Sequence, residues 1–302
     1  MIVTICTHSH AVSLQQGGKD LALFSVGLGG RASGIGGAYS ALSSESDAPY
    51  WNAAGMMFGR SFDVSSMQTK LPSDLNIYYL SATVKNRVNG PSEGAWGFYW
   101  INGSLPDIPR VTDNESASHN TDVKPSGTFA YTSQTLGISY ANWLSTNVSY
   151  GINITGFYQA FSDIQNGRGL GASFTPSLLW MPTPRIMVGV VFRDLLNSQK
   201  WDTGSSDDII PEGRIGVSVG ILESLLITVE TRQKFRNGYS ATLHFGTEYN
   251  FGLLRLRGGF DEDHTTAGCG LYTGPIDVQY AYISNTDMGI GDTHRVSVGF
   301  GI

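Results

Sequence analysis

No stretch of this 302-residue chain approaches the ~20 apolar residues that a membrane-spanning helix needs. The longest apolar run, Ile186 to Phe192, is strand-sized and interrupted by Gly189. Charge is also scarce, at 15% of residues, and the net charge of −6 offers no basic surplus to neutralise phosphates, which excludes a nucleic-acid binder. Two cysteines, Cys6 and Cys269, are too few for a disulfide framework. Serine, histidine and aspartate all occur, but no nucleophile motif surrounds any serine and the six histidines are scattered, so neither an enzyme nor a cofactor or metal site is expected. The run Asp261-Glu262-Asp263-His264 reads as a solvated acidic turn, with a calcium site as the alternative.

What the chain has is alternation. Asn147-Val148-Ser149-Tyr150-Gly151-Ile152-Asn153-Ile154 places Val, Tyr, Ile and Ile on one face and Asn, Ser, Gly and Asn on the other. Arg214 to Val219 and Arg295 to Ile302 do the same. Backbone inside a bilayer must satisfy its own hydrogen bonds, so without spanning helices a closed barrel is the remaining way across. Alternating runs bounded by turn residues fall at 61–70, 74–84, 94–103, 127–142, 146–160, 168–181, 185–195, 212–221, 225–234, 239–250, 253–260, 264–273, 275–284 and 292–302. That predicts an all-β, fourteen-stranded antiparallel barrel in the bacterial outer membrane. The two longest connections, 104–126 and 196–211, fall at one end, which is taken as the outer one, and both termini at the other.

The wet faces carry residues too costly for lipid. Arginine at the bilayer midplane costs ~2–4 kcal/mol, so Arg193, Arg214, Glu230, Arg232, His244, Glu248, Arg255, Arg257 and Asp277 are expected to face the lumen. A salt-bridge lining of the wall and a solute-binding or gating role both remain open for them. Phe129 and Tyr131 are odd-numbered whereas Leu136, Ile138 and Tyr140 are even, which predicts a bulge near Thr132-Ser133. Pro176 interrupts the run 168–181; it cannot donate to a ladder, which marks a candidate lateral gap.

Ahead of the barrel, residues 1–13 read as the remnant of an export signal, with lipidation at Cys6 as an alternative. Residues 14–59 read as a hatch inside the bore and 60–302 as the barrel. Gly27, Gly29 and Ala32 formally match a dinucleotide-binding pattern, but no βαβ unit follows. Asp47 is placed to cap a short helix from Ala48-Pro49 that Gly55 stops. Arg31 is expected near Glu230 or Glu248.

The run GRASGIGGAYSAL (30–42) followed by YWNAAG (50–55) resembles the opening of the PorV/PorQ family, within the FadL-like outer-membrane barrels. Gly291-Asp292-Thr293-His294-Arg295 and Tyr280-Ala281-Tyr282 are similar to that family's ending. The resemblance implies fourteen strands, outer-membrane lipid around them, and a hatch whose motif is Gly29, Arg31, Gly34, Gly36, Gly37, Asn52 and Gly55. Asn52-Ala53-Ala54 departs from the family's Asn-Pro-Ala, which implies a less rigid hatch turn. The function implied first is a type IX secretion component that binds cargo or envelope proteins through its outer loops. The alternative is a FadL-like passive channel, with a hydrophobic ligand in the bore.

Overall fold

The computed structural model describes residues 27–71, 74–86, 93–110, 126–207, 209–261, 264–285 and 291–302. Its strands are β1 (Phe62–Lys70), β2 (Asn76–Asn86), β3 (Gly94–Arg110), β4 (Gly127–Ser145), β5 (Val148–Phe161), β6 (Arg168–Thr183), β7 (Ile186–Arg193), β8 (Leu196–Trp201), β9 (Ser206–Asp207), β10 (Glu212–Gly220), β11 (Leu225–Lys234), β12 (Thr242–Phe251), β13 (Leu254–Phe260), β14 (His264–Thr273), β15 (Ile276–Asn285) and β16 (Thr293–Gly301). Each pairs antiparallel with its neighbours, and the β1–β16 and β5–β6 pairings close the sheet on itself. β7 and β8 are two halves of one wall strand and the two-residue β9 only adds a short pairing to β8, so the barrel has the fourteen strands expected from the alternation. Closure leaves no sheet edge to meet lipid.

Residues alternate strictly between the two faces. On β16, Thr293, Arg295 and Ser297 are buried while Val296, Val298 and Phe300 are exposed. The exposed set elsewhere (Leu80, Trp96, Ile138, Ile154, Leu170, Ile215, Leu243, Leu256 and their like) forms an apolar outer band. No helix of the described residues is long and apolar enough to cross a membrane.

Several boundaries differ from the sequence reading. β3 runs on to Arg110, beyond the expected end at 103, paired with the start of β4 at Gly127, and β4 extends to Ser145, beyond the expected 142. The connection 196–211 contains β8 and β9. β12 begins at Thr242 rather than 239. The bulge expected near Thr132-Ser133 is not on that strand: β4 pairs in unbroken register with β5 from Tyr131 to Trp143. The irregularity lies opposite, on β3 between Leu105 and Ile108, where Asp107 adopts φ 55. Tyr131 therefore stays in phase with the inward-facing Ser133 and Thr135, and the sequence misleads because an aromatic sits on the wet face near the outer mouth.

Residues 28–57 are almost all buried, and they contact the inner faces of β2 to β6 on one side and β13 to β16 on the other. The segment contains α1 (Gly30–Gly34), α2 (Ala48–Trp51) and a 3-10 turn at Ala53–Phe58. Asp47 occupies the N-cap position of α2, but its side chain makes no capping bond and accepts instead from the Tyr39 hydroxyl at 3.1 Å. Gly55 does not stop that helix; the chain turns at Asn52, and Gly55 lies within the 3-10 turn against the Ser43 carbonyl. Residues 1–26, including Cys6, Glu262-Asp263 and most of the 104–126 connection lie outside the described residues.

Candidate functional site

The inner segment is short of regular structure, so its backbone polar groups need partners from the wall. Inward side chains supply them. Gly30 N donates to Ser297 Oγ at 3.1 Å, Gly36 N to Thr266 Oγ1 at 2.9 Å, and Thr228 Oγ1 donates to the Ala38 carbonyl at 2.9 Å. Glu230 accepts the backbone N–H groups of Tyr39 (3.1 Å) and Ser40 (2.8 Å) as well as Arg232 Nε (2.6 Å). Asn52 caps its own turn by accepting from Ala54 N, and its amide donates to the carbonyls of Ser40 (2.8 Å) and Leu178 (3.1 Å).

The close approach relies on glycines from both sides. A Cβ on Gly34 would lie 3.2 Å from the Gly268 Cα, and one on Gly259 would lie 2.2 Å from Gly36 N. Gly36 and Gly37 take φ 65 and 73, the left-handed region that L side chains rarely adopt, to turn the chain back along the wall. Gly29 turns beside Asp47 with φ 87.

Charged residues surround this segment in one five-membered cluster and several separate pairs. Arg31 binds Glu248 through Nε and Nη2, both at 2.9 Å, and Glu45 through Nη1 at 2.9 Å. Glu248 also takes Arg257 Nε at 2.7 Å, and Arg257 Nη2 donates to Tyr272 at 2.7 Å. Arg255 stacks 3.8 Å from the Tyr272 ring centroid. Arg214 pairs with Glu212, and Arg193 lies 4.5 Å over the Tyr50 ring. His244 Nδ1 meets the Gly36 carbonyl at 2.8 Å, and Asp277 accepts from Gln279 at 2.6 Å. Burial pulls the Arg31 guanidinium down, but Glu248 and Glu45 outweigh it and hold the group well above its usual range. Burial and Glu45 push the Asp47 carboxyl well above the usual carboxylate range. Sequence reasoning missed Glu45, Glu212 and Arg295 as lumen groups, gave Asp47 only a capping role, and missed every backbone donor. Arg295 donates to the Gly27 carbonyl and to Ser33 Oγ at 2.6 Å.

Near Pro176 the wall is paired on one side only. Toward β5 the register runs unbroken through Ile152↔Pro176. On the other side, β6 pairs with β7 as far as Ser177↔Val191 and with β8 from Phe174↔Leu196. Thr175 and Pro176 (two residues) thus face 192–195 (four residues), an excess of two. Asp194 absorbs it with φ 51. The signal was present in the sequence: Arg193-Asp194 followed by Leu195-Leu196 breaks the alternation. Side chains close the break in place of a ladder. Asp194 N donates to Thr175 Oγ1 at 2.9 Å, its carboxylate accepts from Ser173 Oγ at 2.6 Å, and its carbonyl accepts from Asn197 Nδ2 at 2.8 Å. Phe192, Leu195, Leu196 and Leu170 are exposed on the outer surface around it. From inside, the 52–54 turn reaches the same place, with Ala54 N 3.3 Å from Ser177 Oγ.

The inner wall of β1 to β3 is apolar. Met67, Ile77, Tyr79, Tyr99 and Ile101 on β1 to β3 form one cluster with Tyr39, Tyr50 and Trp51 of the inner segment, and Leu71 and Leu105 join it near the outer end. Tyr50 meets Tyr99 edge-on at 5.7 Å and carries Arg193 on its other contact. At the ends of the acidic run, Asp261 Oδ1 accepts the His264 N–H at 2.9 Å.

No family model matches the chain, and no curated protein sequence matches it. Solved structures do. The toluene transporter TodX of Pseudomonas putida superposes with a TM-score of 0.65 at 10% identity, covering 91% of this chain and 99% of that one. The fold is that of the FadL-like barrels. The toluene transporter TbuX of Ralstonia pickettii gives 0.61 at 12% identity over 90% and 97% of the two chains. A FadL homologue of Pseudomonas aeruginosa gives 0.59 at 10% identity over 90% and 98%. TodX and TbuX are toluene transporters.

Proposed function

We propose that this chain is a bacterial outer-membrane channel for hydrophobic small molecules. They enter the bore from its outer end, follow the apolar wall of β1 to β3, and leave sideways into the membrane at the break between β6 and β7–β8. The observation that carries this reading is the two-residue excess at Asp194 opposite Pro176, where two bonds to side chains stand across the break in place of ladder bonds. Residues 27–59 act as the hatch: they block the bore to ions, and the 52–54 turn lies against the exit. That the neighbours TodX and TbuX are toluene transporters supports the substrate class.

The resemblance of residues 30–42 and 50–55 to PorV/PorQ proteins supports a second reading, in which the outer ends of the strands hold a secreted or envelope protein. That reading has the sequence motif alone behind it, and the neighbours favour the channel. Uptake separates the two. The purified barrel in proteoliposomes should speed entry of toluene into an internal reporter phase, with no ion conductance to match. Toluene entry equal to that of protein-free liposomes, with co-purification of envelope proteins from native membranes, would replace the channel with the secretion reading.

A further inference from the structure

The outward face of the wall is almost free of charge. Below the paired extension of β3 and β4, the cations on the outward phase of the described strands are Lys70 on β1, Arg168 on β6 and Lys200 on β8. Lys70 has a carboxylate partner, Asp74 at 2.7 Å. Arg168 and Lys200 are exposed and make no ion pair among the described residues. Leu170 pairs directly with Lys200, and Asp202 N donates to the Arg168 carbonyl at 2.8 Å. The two cations therefore stand diagonally across the β6–β8 pair, both beside Leu170.

Their level on the wall is fixed by register. Gln68, Tyr78, Asn102, Gln134 and Tyr158 face one another in a single outward row across β1 to β5. The row continues through Leu170 to Lys200. Two residues further in, the corresponding row reads Leu80, Trp100 and Leu136, which is apolar. The polar row thus marks the outer edge of the lipid band, where tyrosines gather and a cation costs little. Lys200 lies in this row and Arg168 one step above it, at the height of lipid head groups.

A cleft of about 400 Å³ opens beside Arg168, lined also by Thr132, Tyr158, Ser162, Ile164 and Gln165. Its volume is that of a small-molecule site, ~300–1,000 Å³, and its lining offers hydroxyl and amide groups as well as the guanidinium. Below the cations the surface turns apolar: Leu170 is 66% and Leu196 67% exposed, with Ala172 exposed between them and the wall break. Asp163 and Asp202 are exposed nearby and stand in no ion pair, while Arg110 Nη2 donates to the Asp163 carbonyl at 2.8 Å. Three cations thus meet two carboxylates around the cleft, and a third carboxylate, Asp207, accepts from Trp201 Nε1 at 2.7 Å.

We propose that this outer-rim patch binds a phosphorylated glycolipid of the outer leaflet. The phosphate meets Arg168 and Lys200, where a guanidinium can take two phosphate oxygens at once. A sugar ring occupies the cleft against Tyr158, Ser162 and Gln165, and acyl chains run down over Leu170, Ala172 and Leu196. The site rests on the outer-membrane location and is independent of the channel reading.

The test is native mass spectrometry of the detergent-solubilised full chain titrated with diphosphoryl lipid A, with phosphatidylglycerol as the phosphate lipid that lacks a sugar. A cation beside anionic lipid contributes about fivefold in affinity, and two about thirtyfold. R168Q/K200Q should therefore bind lipid A about thirtyfold more weakly than wild type, and each single variant about fivefold. Both side chains are exposed, so folded gel mobility should be unchanged, and the single variants serve should the double one fail to fold. K70Q, at the same height but paired with Asp74, should bind as wild type does. Phosphatidylglycerol should bind more weakly than lipid A, and millimolar inorganic phosphate should displace neither. Equal lipid A binding by wild type and R168Q/K200Q overturns the inference, as does an equal loss in K70Q. Phosphatidylglycerol binding as tightly as lipid A, or displacement by inorganic phosphate, overturns it as well, and each of these outcomes leaves the channel reading standing.

Discussion

Arg31 and Glu248, 217 positions apart in the chain, meet in a two-pronged ion pair with both N···O distances at 2.9 Å. The pair ties the inner segment to β12, and Glu248 shares its charge with Arg257 on β13. Because all three groups are buried, removing the carboxylate leaves the Arg257 guanidinium without an ion-pair partner and Arg31 with Glu45 alone. E248A should loosen the segment by about 3–5 kcal/mol, the range for breaking a buried pair. Planar-bilayer recordings should show higher conductance from a barrel of unchanged folded mobility. Conductance at the wild-type level would mean that the ion pair does not hold the segment in the bore.

Contact between the segment and the wall makes a steric prediction. A side chain at Gly259 has nowhere to go, because its Cβ would fall 2.2 Å from Gly36 N and from the Ile35 carbonyl carbon. G259A should displace the 35–37 turn and cost roughly 2–4 kcal/mol, in the upper part of the range for single substitutions. Gly156 has open space around its Cβ position, so G156A is the control with little effect. Thermal melts of the two variants should differ accordingly.

The Asp47 carboxyl gives the docked segment a pH dependence. Burial, then Glu45, raise its pKa when docked, with Tyr39 and Arg31 acting in the opposite direction. A raised pKa in the docked state means the stabilising contribution is present below the ordinary carboxyl pKa and is lost as pH climbs through the raised one. Hydrogen exchange of the segment should therefore slow as pH is lowered from about 8 to about 5, after correction for intrinsic rates. D47N should remove that part of the trend and protect the segment at pH 8. A D47N profile parallel to wild type would exclude Asp47 as the source.

The orientation of the wall is checked by paired labelling. Val229 and Leu256 are exposed, whereas Glu230 is wholly buried and Arg255 points at Glu45 and Glu248. Single cysteines at 229 and 256 should react with a lipid-soluble probe, and those at 230 and 255 should not. V229R should cost ~2–4 kcal/mol if Val229 lies near the bilayer midplane. Equal labelling at 229 and 230 would refute the register.

Much of the wall was legible because a strand between lipid and water has period two, and both solvents punish the wrong side chain. Asn153 and Ile154, or Glu230 and Val229, can be assigned from polarity alone. Legibility failed where polarity stopped discriminating. Tyr131 looks like a lipid-facing residue and lies inside, so a bulge was placed on the wrong strand. Pro176 drew attention to the right strand, but the two extra residues are on its partner, where Arg193-Asp194 and Leu195-Leu196 come as doublets. The hatch contacts were hardest to foresee, because Glu230 is met by the backbone N–H groups of Tyr39 and Ser40, and backbone donors leave no letter in a sequence.

The central claim is the sideways exit at the wall break, and straightening the wall tests it most directly. Deleting Asp194 and Leu195 removes the two-residue excess and preserves the inward phase of Arg193 and Asn197; P176V restores the missing donor. In that variant Pro176's position would pair with Phe192 and Thr175 with Arg193, giving continuous ladders between β6 and the joined β7–β8. Toluene entry into proteoliposomes should fall to the protein-free rate while the barrel keeps its folded gel mobility. Entry at the wild-type rate from a straightened, folded barrel would contradict the account.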